Sequence, residues 1–169
     1  MSLVLRHKPE TIGLTLDENG WADVSELIEK LNANGAEADI ILIKEVVATN
    51  DKKRFAFNED QTRIRASQGH SIAVELGLKE MTPPDYLYHG TAERFLENIL
   101  ATGLQKQSRQ HVHLSATIET AIAVGVRHGK PVVLLIKAKE MQEKGYLFYL
   151  SENNVWLTGQ VPVAFISQA

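Results

Sequence analysis

The stretch "KEMTPPDYLYHG" constrains the fold more than any other, because Pro83 and Pro84 lack a backbone N–H and hold φ near −65°. Neither a helix nor an inner strand continues through such a pair, so it marks a linker between residues 1–82 and 83–169. The two sides differ in charge. Residues 1–84 carry 10 Lys/Arg against 14 Asp/Glu, a net −4, and residues 85–169 carry 8 against 7, a net +1. A chain of 169 residues can bury a core as one domain or as two small ones.

The whole chain has a net charge of −3 and a pI near 6.1. That balance argues against a protein that coats nucleic acid non-specifically, so local basic clusters must carry any phosphate binding. No run approaches the roughly 18 apolar residues of a membrane span, and the start has no basic-then-apolar leader; a cytoplasmic protein is expected. Cysteine is absent, which removes disulfides, thiol nucleophiles and thiolate zinc sites together.

In the first half, "DVSELIEKL" offers Asp23 as a helix N-cap with Glu26 three residues on, an apolar stripe at Val24, Leu27, Ile28 and Leu31, and Gly35 as a stop. "ADIILIKEVVATN" continues with Ile40, Ile43 and Val47 on one helical face. "KRFAFNEDQTRIRA" alternates Phe55 and Phe57, turns over Asn58 to Gln61 and resumes at Ile64 and Ala66, the pattern of a hairpin. Helices followed by a hairpin predict a winged-helix-like unit.

The second half is richer in strands, read at "YLYHG", "HVHLS", "PVVLLIKA", "LFYLS", "NVWLT" and "VPVAFIS". One helix is expected from Thr91 as N-cap through Phe95, Leu96, Ile99 and Leu100 to Gly103, and another from near Thr117 to near Gly129. The expected product is a mixed α+β lobe.

The six histidines stand at 7, 70, 89, 111, 113 and 128, all outside the plain amphipathic helices. Arg6, Arg54, Arg65, Arg109 and Arg127 each lie near one of them or near a strand end. Guanidinium forks match phosphate oxygens bidentately, so several converging would bind a dianion, whereas each alone reads first as a solvated surface charge or a partner for nearby carboxylates. His111 and His113, two apart on a strand, would share a face. With no evident third ligand, a metal is not expected. "YHGTAERF" places a His-Gly-Thr turn between strand and helix, suited either to close approach of a ligand or to a simple cap. Neither a G-x-x-x-x-G-K-[ST] loop nor a G-x-G-x-x-G fingerprint occurs.

Taken in order, "LVLRHKPE", "LTLDENGWADV", "KKRFAF", "IRASQGHS", "LYHGTA", "RQHVHLS", "VRHGKPVVL" and "SENNVWLT" resemble the RNA 2'-phosphotransferase (tRNA 2'-phosphotransferase) family across nearly the whole chain. The resemblance implies an α+β protein, with an N-terminal winged-helix-like RNA lobe at 1–82 and a C-terminal ADP-ribosyltransferase-like NAD lobe at 83–169. It implies removal of an internal 2'-phosphate from RNA of the tRNA splice-junction type, with NAD consumed as co-substrate. The reaction would pass through a 2'-phospho-ADP-ribosylated RNA. Its products would be 2'-hydroxyl RNA, nicotinamide and ADP-ribose 1'',2''-cyclic phosphate.

The family's Arg-His-Arg-Arg tetrad falls by motif on Arg6, His7, Arg54 and Arg109. NAD binding falls on His89, Gly90 and Thr91, on His113, Leu114 and Ser115, and on Arg127; RNA contact falls on Gln68 and His70. Arg65 lies outside the tetrad. A monomer is expected. Two departures stand out: Val155 occupies the place where many ADP-ribosyltransferases carry glutamate, and Asn154 replaces the family's usual Gly, a substitution that a left-handed turn tolerates. The lead-in to "RH" is shorter than the family's usual one. The competing readings are an ADP-ribosyltransferase that modifies nucleic-acid phosphate ends and stops after the first step, and a non-catalytic winged-helix RNA-binding module.

Overall fold

In the computed structural model, which describes all of residues 1–169, the chain divides into two units at Gly77 and Leu78, ahead of the proline pair. The first unit opens with α1 (Ser2–Arg6) and a 3-10 turn at Pro9–Ile12, followed by β1 (Ala22–Asp23), α2 (Val24–Ala33) and α3 (Ile40–Thr49). The hairpin of β2 (Phe55–Phe57) and β3 (Arg63–Ala66) closes it. β3 lies between β1 and β2, antiparallel to both, with Ile64 opposite Ala22 and Phe57. The strand period sends Ile64 and Ala66 into the core and Arg63 and Arg65 to the other face. Val4, Leu5, Leu14, Leu27, Ile43 and Phe55 complete that core.

Asp23 caps α2 as its sequence predicts, accepting the Glu26 N–H at 2.9 Å. The reciprocal bond of a capping box does not form. Glu26 Oε1 instead accepts the Thr15 N–H at 3.3 Å, tying the preceding loop to the helix. Gly35 follows α2 at φ +84°, a backbone that glycine adopts without steric cost. α3 departs from its expected stripe: Ile43 is buried, whereas Ile40 is 40% exposed. Asp39 caps that helix through the Leu42 N–H, which places Ile40 in its first turn at the surface.

The second unit is α+β and its sheets are small and antiparallel. Its elements are β4 (Leu87–Ala92), α4 (Glu93–Thr102), β5 (Leu104–Gln105), β6 (Val112–Leu114), α5 (Ile118–Gly125), β7 (Pro131–Ile136), α6 (Ala138–Glu143), β8 (Phe148–Leu150), β9 (Trp156–Thr158), β10 (Gln160–Val161) and β11 (Ile166–Gln168). β7 runs between β4 and β11, β9 between β6 and β8, and β5 pairs with β10. Tyr88 and Ser115 bridge the end of β6 to β4, exchanging backbone bonds of 2.9 and 2.7 Å. Leu87, Leu134, Ile136, Met141 and Phe148 are fully buried between these layers.

Two further expectations change in this unit. Thr91 does not cap α4: it pairs with Val132 in β4, the strand runs on to Ala92, and the helix starts at Glu93 with no side-chain cap. "VPVAFIS" is not one strand but β10, a 3-10 turn at Val163–Phe165, and β11. α6 has no strong periodicity in six residues and was not legible as a helix. Thr117 does cap α5, accepting the Thr120 N–H at 3.3 Å, and a 3-10 turn carries the chain to Gly129.

Candidate functional site

In the first unit, the Asp17 carboxylate organises the turn ahead of β1. Its Oδ1 accepts the N–H groups of Asn19 and Trp21, both at 2.9 Å, and its Oδ2 accepts from Arg63 Nη1 at 2.8 Å. The turn, closed at Gly20 with φ +76°, presents the Trp21 ring to β3. There the Arg65 guanidinium stacks on it, 4.4 Å from the ring centroid. Arg6 ends α1, and His7 is its C-cap. The Arg6 carbonyl accepts the Ser71 N–H at 3.0 Å, and His7 Nδ1 lies 2.9 Å from Ser71 Oγ.

His70 completes this cluster from within. The family resemblance implies an RNA contact for it; the ring is 1% exposed, and neither ring nitrogen has a hydrogen-bond partner. Burial, then the positive charges of Arg6, His7 and Arg65, push its pKa down to about 4, so the ring is neutral at pH 7. Gln68 is half-buried nearby in sequence. Arg54 precedes β2 and is tied down through its backbone, which takes the Ser67 N–H at 2.8 Å and donates to Asn50 Oδ1 at 3.2 Å.

The second unit brings His89, Arg109 and His113 together. His89 Nδ1 lies 3.0 Å from the His113 carbonyl, which can only accept, so Nδ1 carries the proton. Burial lowers the His89 pKa, opposed in part by that bond and reinforced by His128 and Arg109. The neutral ring therefore leaves Nε2 as an acceptor. Arg109 Nη1 donates to His113 Nδ1 at 3.2 Å, which fixes the opposite tautomer there, with the proton on Nε2.

The remaining expected ligand residues have different surroundings. Gly90 packs against α5: a Cβ on it would lie 1.7 Å from the Ala121 carbonyl oxygen. Thr91 and Leu114 are buried, at 6% and 2% exposure. The Ser115 backbone is the bridge to Tyr88, and Arg127 lies exposed in the turn after α5. His111 does not pair with His113; it precedes β6 and meets Tyr149 edge-on at 5.7 Å, and burial followed by Lys106 lowers its pKa. No group of three or more His, Asp or Glu side chains is placed to hold a metal ion, and no helix is long and apolar enough to cross a membrane.

A family model described as RNA 2'-phosphotransferase, Tpt1 / KptA family, matches residues 1–160. The chain belongs to the RNA 2'-phosphotransferase family. Relatives in it include a probable RNA 2'-phosphotransferase of Flavobacterium johnsoniae, 61% identical over 98% of this chain and 91% of the relative. Those of Fusobacterium nucleatum and Acaryochloris marina are each 58% identical, over 98% of this chain and 93% and 91% of theirs. In this member of the RNA 2'-phosphotransferase family, sequence reasoning missed Trp21 and Ser71. Trp21 lies within the quoted "LTLDENGWADV" and Ser71 within "IRASQGHS", yet nothing local signals that one stacks on Arg65 and the other bonds His7.

Proposed function

We propose that this protein is an NAD-dependent RNA 2'-phosphotransferase that removes an internal 2'-phosphate from RNA of the tRNA splice-junction type. The family match over residues 1–160 carries the reading, and the Arg6–His7 pair held at the end of α1 supports it. In this reading the first unit is a winged-helix-like RNA lobe and the second an ADP-ribosyltransferase-like NAD lobe. Arg6, His7, Arg54 and Arg109 grip the 2'-phosphate.

An oxygen of that phosphate attacks the anomeric carbon of the nicotinamide ribose; an O–C bond forms, the C–N bond breaks and nicotinamide leaves. The ribose 2''-hydroxyl then attacks phosphorus and loses its proton, and the RNA 2'-oxygen departs with a proton. The products are 2'-hydroxyl RNA and ADP-ribose 1'',2''-cyclic phosphate. Negative charge grows around phosphorus and on the departing oxygen, where preorganised cations stabilise the transition state more than the ground state. In this reading His7 is a group that can supply that proton. A phosphate dianion needs no base to activate it, so Val155 in the place of a glutamate is compatible with the first step.

The second unit fits NAD by its donor set. The accepting Nε2 of neutral His89 suits a ribose hydroxyl, and the Arg109 guanidinium, held at 3.2 Å by His113 Nδ1, suits phosphate oxygens. Arg127 supplies a further cation, and the backbone of Gly90 to Thr91 and of Leu114 to Ser115 frames the ligand. Gln68 contacts RNA.

The test is a 2'-phosphorylated oligonucleotide incubated with NAD. Loss of the 2'-phosphate with release of nicotinamide is expected. Intact substrate beside an active control enzyme would sink the proposal, and a stable ADP-ribosylated product would show a reaction that stops after its first step.

A further inference from the structure

We infer that Ser71 is a positioning residue for His7, its hydroxyl fixing the imidazole so that Nε2 is the nitrogen that acts on the substrate. This rests on the reading of His7 as part of the reaction centre. α1 is five residues long, too short to be held by its own hydrogen bonds, and His7 follows it as the C-cap at φ −129°. Ser71 meets this end of the helix at two places: its N–H on the Arg6 carbonyl at 3.0 Å holds the backbone, and its Oγ, 2.9 Å from His7 Nδ1, holds the ring.

Ser71 itself is exposed, but its chain neighbour is anchored. The His70 ring is 1% exposed and packs beside Gly20, where an added Cβ would lie 3.5 Å from His70 Nε2 and 3.4 Å from Val74 Cγ1. A buried, neutral ring thus holds the backbone from which Ser71 reaches His7. The chemistry requires an acceptor at that point. A cationic His7 carries protons on both nitrogens, so Nδ1–H must donate, and the Ser71 oxygen receives it. When Nε2–H passes its proton to the departing RNA oxygen, His7 is left as the Nδ1–H tautomer, the form that Ser71 already holds.

Thr and Val have nearly the same shape at position 71 and differ in hydroxyl against methyl. Single-turnover removal of the 2'-phosphate is measured in Ser71→Thr and Ser71→Val, each alone and with His7→Ala. Ser71→Thr should keep wild-type turnover within about twofold, and Ser71→Val should lose about tenfold with the KM for NAD unchanged. With His7→Ala present, Ser71→Val should cause no further loss. Equal activity of the Thr and Val variants, or an undiminished Val effect without His7, overturns the inference.

A second readout needs no turnover. With His7 protonated, its Nδ1–H proton resonance should be protected from exchange in wild type and Ser71→Thr and lost in Ser71→Val. Its persistence in Ser71→Val also overturns the inference. If the wild-type protein fails to act on the oligonucleotide, the proposed function fails, and the resonance alone decides the role of Ser71.

Discussion

At the scale of single residues, the largest contrast lies between His70 and Arg54. His70 was legible in the sequence as a polar residue in "QGHS", but its burial was not, because burial depends on Gly20 and Val74 packing around it. Its depressed pKa fixes a sign for stability against pH. Between about 6.5 and about 4 the unfolded chain binds a proton that the folded chain refuses, so stability is full above pH 6.5 and falls as pH drops through that window. The difference amounts to about 3 kcal/mol for this group. His89 and His111 are shifted in the same direction and add to it. Chemical denaturation at pH 7 and at about pH 5 should show the loss, and His70→Gln should reduce the slope; an unchanged slope would place the titration elsewhere. Arg54→Ala should leave stability within about 0.5 kcal/mol, because a half-buried charge tied down through its backbone carries little packing. Its turnover should nonetheless fall by about 100-fold or more if it grips the phosphate. Melting and turnover on the same preparation separate the two effects.

At the scale of elements, the hairpin and the caps of α2 and α5 followed from local chemistry. Phe55, Phe57, Ile64 and Ala66 alternate, and the side chains of Asp23 and Thr117 reach N–H groups three residues on. The start of α4 did not follow, since Thr91 is as good a cap as Thr117 by type. What decides is the pairing of β4 with β7, which continues to Ala92 opposite Pro131 and takes Thr91 into the sheet. The same pairing explains Gly90. Its close approach was legible as a glycine requirement, but the neighbour is the α5 carbonyl of Ala121, at a distance that no Cβ could share. Gly90→Ala should therefore cost about 3 kcal/mol or more by forcing α5 away from β4. Thermal melting would reveal it, and a stable Gly90→Ala variant would show that this contact is not as tight as its geometry.

At the scale of the whole molecule, a net charge of −3 leaves little room for broad electrostatic attraction to RNA. If the four tetrad residues supply the phosphate contacts, the logarithm of RNA affinity should fall against the logarithm of salt with a slope near −3. A slope near −6 would demand cations that the tetrad does not supply. Family membership and the division into an acidic and a slightly basic half were properties of the sequence, carried by motif order and composition, which survive unfolding. So were the periodicities that made most helices and strands, because neighbours three, four or two residues apart meet whatever the rest of the chain does. The tertiary structure alone decided that Ser71 meets His7 across 64 residues, that Trp21 lies under Arg65, and that Arg109 and the His113 carbonyl set the protonation of two rings. Apart from the Arg109–His113 pair, four residues apart, those contacts join residues far apart in the chain, and no local preference encodes them. Only the packed core brings such groups within bonding distance, and only then do their charges and tautomers become fixed.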